Sequence, residues 1–129
     1  MPLPTVLCIC ANPLVDFLAT CDLEPGRVHR VAGFTPSIGG KSLNAGRVLA
    51  AHGLRVRALT FGGGCTGALL EEGMASDGLE PTLVPTRARA RLGFELISAN
   101  PDWHQSTAAL EDGFSVSEGH HQLLVPHYY

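Results

Sequence analysis

The stretch "TPSIGGKSLNAGRVLAAHG", residues 35–53, decides how the rest of the chain is read. Gly39-Gly40 stands directly before a run in which Leu43, Gly46, Ala50 and Gly53 fall at helical spacing, and Gly53 is placed to cap its C-terminal end. A glycine pair before a helix lets backbone approach a neighbour closely. The N–H groups of the first turn then point at whatever lies in front, a setting that favours anions and hydroxyls. Lys41 adds a mobile positive charge there, and Asn44, one turn on, offers a donor and an acceptor suited to a sugar hydroxyl. The same residues also suit a turn needed only for packing, with Lys41 solvated, because short glycine motifs are common.

Working outward, Thr5 to Ala11 is β-branched and apolar on both faces, as expected of a strand buried in a mostly parallel sheet, and Asn12-Pro13 stops it. Val56 to Phe61 is a second strand. "GGGCTGALLEEGMASDG" (62–78) then reads as a glycine turn, Thr66 as N-cap, an amphipathic helix with Leu70 and Met74, and a terminating Gly78. Thr82 to Val84 and Arg89 to Ser98 are further strands, and this alternation gives an α/β fold. Phe17 to Cys21 and Val28 to Phe34 flank "DLEPGR", whose Pro25-Gly26 signals a turn, so they form a short hairpin projecting from the sheet. Beyond residue 98 "NPDWHQST" and "EDGFSVSEGHH" have little periodicity, and "HHQLLVPHYY" hints at a truncated helix or strand.

Composition bounds the function. With 129 residues, 45% of them hydrophobic, and mean hydropathy +0.15, one domain with an apolar core is expected. A net charge of -3 and a pI near 6.0 give no general attraction to nucleic acid or acidic membranes, so phosphate binding needs a local cluster. The apolar N-terminus lacks a basic region, is too short to span a bilayer, and is interrupted by Asn12-Pro13 and Asp16. Cys8, Cys10, Cys21 and Cys65 include no CxxC pair, so reduced thiols and a cytoplasmic location are the plain reading, with neither disulfide framework nor zinc site. His120 and His121 are adjacent, and no metal-ligand spacing surrounds them. "FGGGCTG" lacks both the Lys-Ser/Thr ending of a P-loop and dinucleotide spacing, leaving a strand-to-helix turn. In "PTRARARLGFEL", Arg87, Arg89 and Arg91 would share one face of a strand. That stripe suits a phosphate or merely protects an edge, and one or two of the arginines at most would touch a ligand.

Taken in order, "ANPLVD", "LEPGRVHRV", "GGKSLNAGRVLAAHG", "LTFGGGCTGALLEE" and "ARLGFELI" resemble the N-terminal part of the ribokinase-like PfkB family of sugar kinases. "NPLVD" and the "EPG" turn are most similar to its branch acting on sugar phosphates, such as 1-phosphofructokinase and tagatose-6-phosphate kinase. The resemblance implies a Rossmann-like α/β sheet with helices and a small β-lid, whose strands lie at about 16–35 and 89–98. By position, Asp16 and Asn44 would hold sugar hydroxyls, Gly39 and Gly40 would let backbone pack against the sugar, and Lys41 and Arg91 would neutralise the phosphate already on the substrate. It also implies a sugar phosphate partner such as fructose 1-phosphate, and a homodimer through the lid strands. Three residues depart from the pattern: Ser42 replaces a glycine, Gly46 a small helix-former, and Gly93 the asparagine of the family's "TRxN" segment.

The family's chains are about twice this length or more, so residues 1–129 correspond to the N-terminal part of such a domain, truncated after roughly the first half. The segment the family calls "GxGD", with its anion hole and catalytic aspartate, has no counterpart here, and neither does the pocket for ATP and Mg. Catalytic residues and metal ligands are therefore assigned to none of these positions. Two readings follow: the acceptor half of an ATP-dependent sugar-phosphate kinase, or a truncated non-catalytic protein that binds a phosphosugar or pairs through its lid.

Overall fold

The computed structural model describes residues 4–22 and 27–98 with their side chains, and beyond them the backbone of three strands. The elements run β1 (Thr5–Cys10), β2 (Leu14–Thr20), β3 (Thr35–Gly39), α1 (Lys41–Ala51), β4 (Arg55–Gly62), α2 (Gly64–Ser76), β5 (Glu80–Pro85), β6 (Arg91–Ile97), β7 (Ser106–Leu110), β8 (Val116–Glu118) and β9 (His121–Leu123). The α/β reading of the sequence holds.

One parallel sheet has the order β1-β4-β5, with Cys8 beside Ala58 and Thr60 beside Leu83. Strict alternation in β4 turns Val56, Ala58 and Thr60 inward and leaves Arg55 and Arg57 exposed. Both helices lie on the inward side, where Leu43, Leu70 and Met74 meet Cys8, Cys10, Val56 and Ala58. Gly46 has a packing reason. A Cβ there would stand 3.2 Å from Cys8 Sγ and 3.3 Å from Leu79, so α1 gives up helix propensity to lie close on the sheet. Past its end, Gly53 N–H and Leu54 N–H donate back to Ala50 and Leu49, the capping expected of that glycine. Arg47 ties the layers by donating to Asp77 and to the Ile38 carbonyl, both at 2.8 Å.

The second sheet has the order β3-β2-β6-β7, with β2 parallel to β6 and the outer pairs antiparallel. Val15 and Ile38 face the core, and Phe17 stacks on Phe94 at 5.6 Å.

Four expectations are corrected. The strand returning along β2 is Thr35–Gly39, while residues 28–34 form no strand; Val28 is 94% exposed. β1 is not covered on both faces, since Leu7 and Ile9 are 57% and 58% exposed. Thr66 is inside α2, whose N-cap is Gly63, and its hydroxyl accepts the Ala90 N–H at 2.7 Å. Arg87 and Arg89 precede β6, so the three-arginine stripe does not form. In the weakly patterned tail Ser106–Leu110 is a strand beside β6, and His121–Leu123 is a strand at the start of "HHQLLVPHYY", whose last six residues lie outside those described. No described helix is long and apolar enough to cross a membrane.

Candidate functional site

The site is assembled where β1 ends and α1 begins. Gly40 is the N-cap of α1 at φ 132°, a conformation favouring glycine, and a Cβ there would come within 2.5 Å of Cys10 Sγ. No side chain caps this helix and its first turn holds no acidic residue, so the positive end of its dipole faces outward without internal compensation. Cys10 lies beneath it. Burial pushes its thiol pKa up, while hydrogen bonds from the Asn12 and Leu43 backbone and the charge of Arg91 act the other way.

The register of the second sheet brings the rest to the same corner. Gly39, Leu14 and Arg91 form one row across β3, β2 and β6, and Ser37, Asp16 and Gly93 form the next. Strand pleating puts all six on one face. Gly40 and Lys41 continue from Gly39, with Lys41 and Asn44 both exposed on α1. Asp16, Gly39 and Arg91 thus share this corner, Gly40 and Lys41 follow Gly39 in the chain at its edge, and Asn44 stands one turn further along the helix.

Two buried acceptors stand out. Asn12 Oδ1 and Asp16 Oδ1, at the two ends of "NPLVD", have no hydrogen-bond partner. An unmade bond at a buried acceptor costs about 1–3 kcal/mol, so both oxygens call for external donors. The Asp16 pKa is raised, first by burial and next by the negative charge of Glu95; the Phe17 backbone N–H and Arg91 partly restrain it. Glu95 pairs with Leu18, one row beyond Asp16 on the same face. Asn12 and Glu95 were not among the sequence candidates. Asn12 belonged to a quoted motif and was open to view, whereas Glu95 enters only through strand register.

Chemically, hydrogen-bond acceptors surrounded by an open helix N-terminus, Lys41 and Arg91 suit a polyhydroxyl compound carrying an anionic group. The strand-to-helix turn before α2 is closed differently: Thr86 N–H donates to Gly62 at 3.2 Å, and Ala90 N–H to Thr66, lacing residues 86–90 across it. Among the described residues no three His, Cys, Asp or Glu side chains gather to hold a metal ion.

Comparison with known proteins gives a consistent family. The profile of the pfkB family carbohydrate kinases matches residues 5–123. The 1-phosphofructokinase of Bacillus subtilis (strain 168) is 30% identical over 86 residues, 66% of this chain and 28% of that protein. A possible 1-phosphofructokinase from Thermotoga maritima superposes with TM-score 0.77 at 24% identity, covering 88% of this chain and 37% of that one. Phosphofructokinase-2 from Escherichia coli, solved in complex with fructose-6-phosphate, gives TM-score 0.78 at 18% identity with the same two coverages. The two structures establish likeness of fold. The chain spans under a third of the curated relative and little more than a third of the solved ones.

Proposed function

The chain belongs to the pfkB family of carbohydrate kinases, and from that premise we propose that it supplies the acceptor site for ATP-dependent phosphoryl transfer to a sugar phosphate, in the manner of a 1-phosphofructokinase. The observation carrying this reading is the pair of buried acceptors without partners, Asn12 Oδ1 and Asp16 Oδ1, beside a helix N-terminus flanked by Lys41. Sugar hydroxyls would satisfy the acceptors, Asp16 and Asn44 orienting them while the Gly39-Gly40 backbone packs against the ring. Lys41 and Arg91 would neutralise the phosphate already present, each charge-assisted contact contributing about 1.5–3 kcal/mol. Asp16 acts here as an acceptor and not as the base, because a base must meet the attacking hydroxyl in line with an ATP phosphate.

The reading places ATP and Mg in the part of the family's domain beyond the acceptor corner, and the glycine turn before α2 is laced by residues 86–90. No transfer step is therefore assigned to this chain. Thermal-shift titration with fructose 1-phosphate, fructose 6-phosphate and free fructose tests the acceptor site through ligand-linked stabilisation. Lys41→Ala should weaken sugar-phosphate binding roughly tenfold or more and free-sugar binding little; equal losses for both would refute the phosphate role.

A second reading, pairing through the lid, draws on Phe34 and Phe94. They are 47% and 44% exposed and contact each other edge-on at 5.9 Å, leaving aromatic surface where a second lid would pack. Phe94→Ser should shift a lid-paired dimer toward monomer in light scattering without lowering sugar-phosphate affinity.

A further inference from the structure

Beyond the two rows that meet at the acceptor corner, the register of the second sheet gives a third, made by Thr35, Leu18 and Glu95. Alternate residues of a strand share a face, so Arg91, Gly93 and Glu95 lie along β6 on the side that Leu14, Asp16 and Leu18 present from β2. The other side of β6 holds Leu92, packed against the core, and Phe94, stacked on Phe17. Charge is therefore ordered along one strand. Arg91 stands at one end and Glu95 four residues on, about 13 Å away at the ordinary rise of a strand. Gly93, between them, brings no side chain to separate the two, and Asp16 lies opposite it on β2. Glu95 is half-buried and its charge reaches Asp16, where it is the largest cause after burial of the raised carboxyl pKa.

We propose that Glu95 sets the substrate class of this corner by making the end remote from Arg91 anionic. The site then takes phosphorylated polyols whose far end is a hydroxyl, and discriminates against phosphorylated sugar acids, which carry a carboxylate there. This rests on the acceptor-site reading above. A phosphate held by Arg91 and Lys41 directs the rest of the ligand along β6 toward Asp16 and Glu95. Hydroxyls arriving there can donate to both carboxylates, Asp16 Oδ1 being a buried acceptor without a partner. A ligand carboxylate has no proton to donate. It meets two like charges and leaves that oxygen unsatisfied, so the wrong ligand is rejected as actively as the right one is held.

Glucitol 6-phosphate and 6-phosphogluconate are a matched pair of probes, differing only in a terminal hydroxymethyl group against a carboxylate. Their affinities for the chain are compared by calorimetry and thermal shift. Glucitol 6-phosphate should bind at least about tenfold more tightly. Glu95→Gln should cut that ratio about threefold or more, and Glu95→Lys should abolish or invert it. Glu80→Gln, which removes a charge from the other sheet, should leave the ratio unchanged. Because the discrimination is electrostatic, added salt should shrink it as well. Circular dichroism checks that the variants stay folded, and Glu95→Gln, nearly equal in shape, carries the test if the lysine variant does not. Two probes that bind equally, or a ratio that both Glu95 variants leave in place, overturn the proposal while the acceptor site stands. Failure of every sugar phosphate to bind overturns the acceptor-site reading and this proposal with it.

Discussion

A Cβ at residue 40 meets two obstacles at once, the Cys10 sulfur at 2.5 Å and a backbone at φ 132° that side chains rarely adopt. Strain and overpacking each cost about 1–3 kcal/mol, so Gly40→Ala should destabilise the chain by roughly 2–4 kcal/mol in urea unfolding, and a loss below about 1 would show that the turn relaxes. Asp16 behaves in the opposite sense. A carboxyl whose folded pKa is raised contributes stability that is fully present below its unfolded value near 4 and lost as pH rises through the folded value. At pH 7 the ionised group therefore burdens the unliganded fold. Asp16→Asn should raise the melting temperature there while weakening sugar-phosphate binding. The thermal advantage should vanish below about pH 4; a lower melting temperature at pH 7 would contradict it. Asp16 and Lys41 were legible in the sequence because their motif places them beside glycines and a helix start. The reason for the Asp16 shift was not, since Glu95 reaches its neighbourhood through a strand 70 or more residues away in the chain.

Among the elements, the glycine-led helix and the parallel strands β1 and β4 were readable from the pattern of the sequence. The return strand of the lid was not, because "TPSIG" is polar and holds a proline. β3 is an edge strand, however, where a missing N–H is tolerated, and the "EPG" turn drew the expected strand seven residues too early. Thr66 was misread for a related reason. A threonine after glycines looks like a cap, yet its hydroxyl is buried and works across elements, accepting the Ala90 N–H just before β6. Thr66→Val keeps the shape and leaves that N–H unsatisfied, so a loss of about 1–3 kcal/mol is expected. Because residue 90 adjoins Arg91, hydrogen exchange should also quicken at residues 90–92 more than in β4. Uniform acceleration across the chain would mean that the bond only adds global stability and does not position the arginine.

For the molecule as a whole, the question is what the exposed Leu7 and Ile9 of β1 do to the chain by itself. The other face keeps a closed core, with Leu43, Leu70 and Met74 fully buried, so the exposed Leu7 and Ile9 bear on association more than on unfolding. Burying a large aliphatic side chain contributes about 1.5–3 kcal/mol, and Leu7 and Ile9 already have part of that. Two copies meeting face to face would gain on the order of 5 kcal/mol from these four side chains, close to the lower range of the cost of association itself. The chain alone should therefore bind ANS and self-associate only weakly, toward millimolar concentration. Leu7→Lys with Ile9→Lys should reduce both effects. If Asp16 is an acceptor and not the base, as proposed, the chain by itself should also release no ADP from ATP in the presence of fructose 1-phosphate. Analytical ultracentrifugation and a coupled ADP assay check the two halves separately. A monodisperse monomer at millimolar concentration would show that the face needs no cover. Turnover by the purified chain, abolished by Asp16→Asn with sugar-phosphate affinity intact, would instead make Asp16 the base.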